Sequence, residues 1–276
     1  MSLARTRNVR PLILGLALAA AVTAPAHASA PPYLAPAERS GVMSWIPPRP
    51  QDGSALDAAD YRIFWETRAL VSAPRGEAAH ADDVWDPKAS TLRLAPALGV
   101  TIDPVTTPAA FRLLSRVQED AGSWGDLAKG PFERGRVRPF VRFPAAPHCP
   151  LSAGDIQFKL AQTSSYPSAH TAYAWLWGLT LSELAPDRAD ALMAWAYDFG
   201  ESRVVCGFHY ESDVAAGRVA ASALFARLQT NPEFQKDLAA ARVEIARARA
   251  PASAPASARR GPLEIARKRI HQIWKR

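Results

Sequence analysis

Apolar residues recur every three or four positions along much of this chain, and convincing alternating stretches are absent. Between residues 57 and 72, Tyr61, Phe64, Trp65, Leu70 and Val71 fall at helical spacing. So do Phe111, Leu114 and Val117 within Pro108–Glu119, with Leu113 beside them. The same period runs through Thr171–Leu184, Asp187–Phe199 and Asp213–Gln229, with Pro186 and Gly200 read as helix ends. A polar, acidic stretch around His80–Asp86 separates the first two helices. The pattern predicts an all-α fold, a single helical-bundle domain over residues 29–247 without internal repeats.

Both flanks differ from this body. Residues 1–28 hold Arg5, Arg7 and Arg10, then the apolar run Leu12–Val22, then Ala26-His27-Ala28, with small residues where a signal peptidase reads. The run is about half of the roughly 20 residues that span a bilayer, so a cleaved signal is expected rather than an anchor. This places the mature protein in the periplasm or outside the cell. Residues 248–276 form a basic tail: an Ala/Pro/Ser linker, then Pro262–Arg276, with Leu263, Ala266, Ile270 and Ile273 on one face and basic residues elsewhere. Such a segment is either a solvated tail or a weak contact with an anionic membrane surface.

Composition changes the picture once charge is located. The formal net charge is +7 over 276 residues. Yet residues 1–28 contribute +3, residues 241–276 contribute +8, and residues 29–240 carry 20 basic against 24 acidic side chains, a net −4. A globular body of that sign is not a nucleic-acid binder. The two cysteines, Cys149 and Cys206, suit an oxidising compartment and are expected to pair. In the chain-entropy model, closing that loop is worth about 4 kcal/mol. Neither has a second cysteine at zinc-ligand spacing, so no metal is expected.

Walker, G-x-G-x-x-G, G-x-S-x-G and H-E-x-x-H motifs are all absent. Basic and histidine residues gather instead in the centre of the chain. Arg134, Arg136, Arg138 and Arg142 come first, then Pro167-Ser168-Ala169-His170, then Arg203, His209 and Asp213. The Pro167–His170 segment precedes an apolar periodic run, so its N–H groups and the Ser168 hydroxyl would face an anion at a helix start. His209 and Asp213 are four apart, which on a helix shares one face and lets the carboxylate set the imidazole tautomer. Two histidines, several arginines and a helix start fit covalent phosphoryl transfer. One histidine attacks phosphorus and the other protonates the leaving oxygen.

These residues also carry a resemblance. Pro167-Ser168-Ala169-His170, then Ser202-Arg203-x5-His209-x3-Asp213, resembles the signature shared by bacterial class A non-specific acid phosphatases, type 2 phosphatidic acid phosphatases and vanadium haloperoxidases. Residues 33–247 are most similar to the class A enzymes, through Tyr33-Leu34, Pro47-Pro48-x-Pro50, Gly53-Ser54, Gly200-Glu201-Ser202-Arg203 and Cys206-Gly207. The resemblance implies a phosphomonoesterase needing no cofactor or metal. It makes His209 the nucleophile, Asp213 its orienting partner and His170 the general acid and base. Arg138, Arg203, Ser168 and the Ala169 backbone would cradle phosphate, and inorganic phosphate or vanadate would bind there as ligands.

Two departures stand out. Ala169 occupies a position that is usually glycine in the family. The family lysine, seven residues before Arg138, falls on Pro131, so Lys129 is the expected substitute, with Arg134 or Arg136 as the alternatives. His80, His148 and His271 are expected to be ordinary solvated or hydrogen-bonded residues, and Trp175, Trp177 and Trp195 to belong to the core. Other readings are a vanadium-dependent haloperoxidase or a catalytically weak phosphate-binding protein. A homo-oligomer is compatible with all of them.

Overall fold

The computed structural model describes residues 31–129, 135–157 and 159–249, and every element among them is helical. In chain order these are α1 (Pro36–Gly41), α2 (Ala55–Thr67), α3 (Pro74–Ala81), α4 (Pro87–Leu98), α5 (Pro108–Lys129), α6 (Pro139–Arg142) and α7 (Ala153–Gln157). They continue with α8 (Ala169–Leu184), α9 (Ala189–Val205), α10 (Glu211–Leu228) and α11 (Pro232–Ala248). The expected signal segment and most of the basic tail lie outside the described residues.

Local chemistry explains the boundaries. Proline opens α1, α3, α4, α5, α6 and α11, where its missing N–H costs nothing, so a Pro-rich chain can still be helical. Side chains of Ser54, Asp86, Ser168 and Asn231 accept N–H bonds that cap α2, α4, α8 and α11.

Helix α8 lies at the centre. It is apolar on most faces and packs against α5, α9 and α10, while α11 closes over α5. Trp177 is fully buried and donates from its indole to the Leu114 carbonyl at 2.9 Å, and Tyr173 donates to Ser90 at 2.6 Å. Trp175 and Trp195 are half-buried against the same core, as expected. Among the described residues no helix is long and apolar enough to cross a membrane.

The structure departs from the sequence reading at four places. Gly200 does not end α9, which continues to Val205 and so carries Arg203. The glycine is there because α8 passes close by: a Cβ at Gly200 would sit 2.9 Å from Thr171 Cγ2. Helix α5 runs ten residues past Glu119 to Lys129, taking Trp124 into the core. His209 is not on a helix, since α10 begins at Glu211. The polar stretch read around His80–Asp86 begins inside helix α3.

Candidate active site

The site forms where the N-termini of α8 and α10 meet the C-terminus of α9. Ser168 N donates to the Asp213 carbonyl at 3.0 Å, tying the start of α8 to α10. The approach is close enough that a Cβ on Gly217 would lie 2.5 Å from the Ser168 carbonyl oxygen. The Ser168 hydroxyl accepts from Thr171 N and, at 2.9 Å, from Thr171 Oγ1. Both bonds are accepted, which leaves the Ser168 hydrogen free to donate to an anion. Ala169 is the first residue of α8 and has ordinary helical backbone, so the positive φ that would favour glycine is not needed. Its methyl faces Gly125 on α5, which has no side chain to clash with it.

The corner after α9 is held from several sides. Arg68 donates to the carbonyls of Val204 and Val205 at 2.7 and 3.1 Å, satisfying the helix end, and also to Pro147 O. Cys206 is bonded to Cys149, as expected from the sequence, and Cys149 N donates to Cys206 O at 3.1 Å. Phe140 N donates to Gly207 O at 3.0 Å. Together these contacts bring Arg138, just before α6, alongside His209.

Arg138 Nη1 lies 3.0 Å from His209 Nε2 and donates to Phe208 O at 3.1 Å, while Nη2 donates to Thr163 Oγ1 and Ser164 O. A guanidinium has only donors, so His209 Nε2 must accept and its proton must reside on Nδ1. That nitrogen is 3.5 Å from Asp213 Oδ2, too far for a good hydrogen bond, and has no partner. The carboxylate is engaged elsewhere: Oδ2 accepts from Ser165 Oγ and Tyr210 N, and Oδ1 from Arg136. Asp213 therefore sits beside the imidazole without yet gripping it, and from α10 rather than through a shared helical face.

Arg203 is fully buried. Its Nη1 pairs with Asp83 at 2.5 Å, and its Nε and Nη2 have no partner. His170, the second residue of α8, lies 3.9 Å from Asp83 and edge-on to Trp85, with ring centroids 4.8 Å apart. Lys129 ends α5 close enough to Arg138 and Arg203 that burial and their charges lower its pKa well below the ordinary lysine value. Lys129 therefore lies within electrostatic reach of both arginines. Arg136 points away into a nest of carboxylates, and Arg134 lies outside the described residues.

The cluster holds more cationic side chains than its nearby carboxylates offset, with Arg138, Arg203 and Lys129 acting on the two imidazoles. Burial and Arg203 push Arg138 down to about 9, leaving it cationic at acid and neutral pH. Burial lowers both imidazoles well below the usual histidine value, helped by Arg138, Lys129 and Arg203 at His209 and by Arg203 at His170. Both histidines are then neutral near pH 7, as an attacking imidazole must be. A dianion bound among these cations would reverse the sign at His170 and favour its protonated form.

Of the remaining sequence candidates, Arg142 is exposed over the Tyr61 ring and His80 is exposed, while the half-buried His148 bonds to Cys149 O. His271 lies outside the described residues. The sequence reading missed Asp83 and Asp155. The first is one of a pair of aspartates in the His80–Asp86 stretch, and the second follows Gly154 with no spacing signal to mark it.

Comparison with known proteins agrees with this geometry. The PAP2 superfamily model matches residues 134–233. Over 217 residues the chain is 36% identical to a non-specific acid phosphatase of Providencia stuartii, covering 78% of this chain and 85% of that protein. It is 35% identical to a non-specific acid phosphatase of Salmonella typhimurium over 214 residues, 78% of this chain and 84% of the relative. An acid phosphatase of Zymomonas mobilis is 32% identical over 216 residues, covering 78% and 80%. With a helical fold, a cationic pocket and two neutral imidazoles in it, the chain belongs to the class A non-specific acid phosphatases of the PAP2 superfamily and is a phosphatase.

Proposed function

We propose that this phosphatase hydrolyses small phosphate monoesters through a phosphohistidine on His209, without a metal ion, outside the cytoplasm. The observation that carries the reading is an unprotonated nitrogen beside open donors in one pocket: His209 Nε2 bears a lone pair, held at 3.0 Å by Arg138 Nη1 until a phosphate draws that guanidinium to its own oxygens, and the Arg203 Nε and Nη2 donors are buried and unpartnered. A phosphoryl group taking those donors, with Arg138, Lys129 and the Ser168 hydroxyl on its other oxygens, would have its charge met by side chains alone.

The chemistry then balances in two steps. His209 Nε2 forms a bond to phosphorus as the ester P–O bond breaks, and His170 gives its proton to the departing oxygen. Neutral His170 next takes a proton from water. The resulting hydroxide displaces phosphorus from Nε2, releasing inorganic phosphate and restoring both imidazoles. Asp213, beside Nδ1, stabilises the positive charge that His209 carries while phosphorylated.

Rapid quenching with a chromogenic phosphomonoester and mass spectrometry tests this. Phosphate should be found on His209, activity should survive EDTA, and His209→Ala should lose on the order of 10⁴-fold or more in turnover. Full loss with EDTA, or an active His209→Ala, would refute the mechanism. Export is supported by the Arg-then-apolar pattern of residues 1–28 and by the Cys149–Cys206 bond, which persists in oxidising compartments.

A further inference from the structure

The two histidines of the pocket are held differently. His209 has Arg138 Nη1 at 3.0 Å. His170 has the Asp83 carboxylate 3.9 Å from its Nε2, beyond hydrogen-bond reach, and among the described residues no other polar group bonds to its ring. What meets that ring is Trp85, edge-to-face, with centroids 4.8 Å apart and the planes at 72°.

The segment that carries Trp85 is braced against four helices. The indole also meets Tyr173, one turn after His170 on α8, at 5.2 Å. On the α5 side it lies against Gly122, where a Cβ would sit 3.0 Å from Trp85 Cζ2, and its carbonyl accepts from Gln118 Nε2. Just before it, Asp82 accepts from Arg93 of α4 and Ser202 of α9, both at 2.6 Å, and Asp83 pairs with Arg203 of α9. A side chain fixed at so many points can fix a ring that leans on it.

We propose that Trp85 is a positioning residue for the general acid: its ring keeps the His170 imidazole turned so that the proton reaches the departing ester oxygen. The proposal rests on the phosphatase reading above and concerns the first of its two steps. There the P–O bond breaks as His209 Nε2 bonds to phosphorus, and the leaving oxygen takes the His170 proton. How much that proton matters depends on the leaving group. An alkoxide is too basic to depart without it, whereas 4-nitrophenolate departs readily as the anion. Trp85 therefore matters most for alkyl esters.

The test measures kcat/KM, which reports phosphoryl transfer from the ester to His209, for ethyl phosphate and 4-nitrophenyl phosphate. Trp85→Ala and Trp85→Leu should each lose about 10²-fold on ethyl phosphate, the cost of an ångström-scale misplacement, and only a few-fold on the nitrophenyl ester. Trp85→Phe, which restores a flat ring, should regain most of the loss. Trp85→Leu keeps apolar bulk beside Gly122 and Tyr173, so a Trp85→Ala variant that fails to fold does not decide the matter. His170→Ala should show the same leaving-group pattern. Equal losses of the Trp85 variants on both esters would make the residue merely structural, and a larger loss on the aryl ester would make it a binding surface. Either result overturns the proposal and leaves the phosphatase reading standing. If His170→Ala itself loses equally on both esters, the acid role of His170 falls and that of Trp85 falls with it. If wild type turns over neither ester, the phosphatase reading is what fails.

Discussion

Arg136 and Arg138 are two residues apart and face opposite tasks. Arg136 is tied to Asp57 at 2.9 Å, Asp60 at 2.8 Å and Asp213 at 3.0 Å, and stacks over Tyr210, so its charge is consumed within the protein. Arg138 meets mainly carbonyls and an imidazole, so its charge remains for a ligand. Asp82 and Asp83 divide in the same way, one bracing α4 against α9 and the other reaching the pocket. At this scale the prediction concerns protonation. In the ligand-free enzyme, NMR titration should find His170 and His209 neutral at pH 6.5 and protonating only well below it, because burial and neighbouring cations depress both. Saturating phosphate should move the His170 midpoint upward, since a bound dianion favours imidazolium. An unshifted His170 would show that the anion does not sit beside it.

Helix packing sets how accurately those side chains meet. The start of α8 is held against α10 at Gly217, where a methyl would sit 2.5 Å from the Ser168 carbonyl and 3.1 Å from Thr171 Cβ. Backbone on one side and a helix on the other leave little room to yield. Gly217→Ala should therefore cost about 1–3 kcal/mol of stability, measured by urea denaturation. It should also lower kcat/KM by ~10-fold or more, since ångström-scale misplacement of a catalytic turn is expensive. A variant with unchanged turnover would mean that α10 can recede without moving Ser168 and His170. The helical periods of Thr171–Leu184 and Asp213–Gln229 were legible because an amphipathic or buried helix repeats within the span of its own turns. The extension of α9 through Gly200 was not, because the reason for that glycine is Thr171 on a neighbouring helix.

At the scale of the whole molecule, one covalent bond joins the loop after α6 to the corner that carries His209. Cys149 and Cys206 are 57 positions apart, and the segment between them includes α7, α8 and α9, so reduction frees the region that aligns both histidines. Cys149→Ser, made together with Cys206→Ser, should lose about 2–5 kcal/mol of stability. Protein recovered from the periplasm should begin at Ser29 and contain no free thiol. An intact Met1 with reduced cysteines would overturn export.

The sequence by itself determined the helical class, the paired motifs around His170 and His209, and the cysteine pair, because periodicity, caps and spacing are local or counted properties. Only the tertiary structure decided which cations remain free for phosphate and which carboxylates face them. Asp83 lies 120 residues from Arg203 along the chain. Whether such a charge is spent or available depends on what the fold packs against it, and no local pattern encodes that.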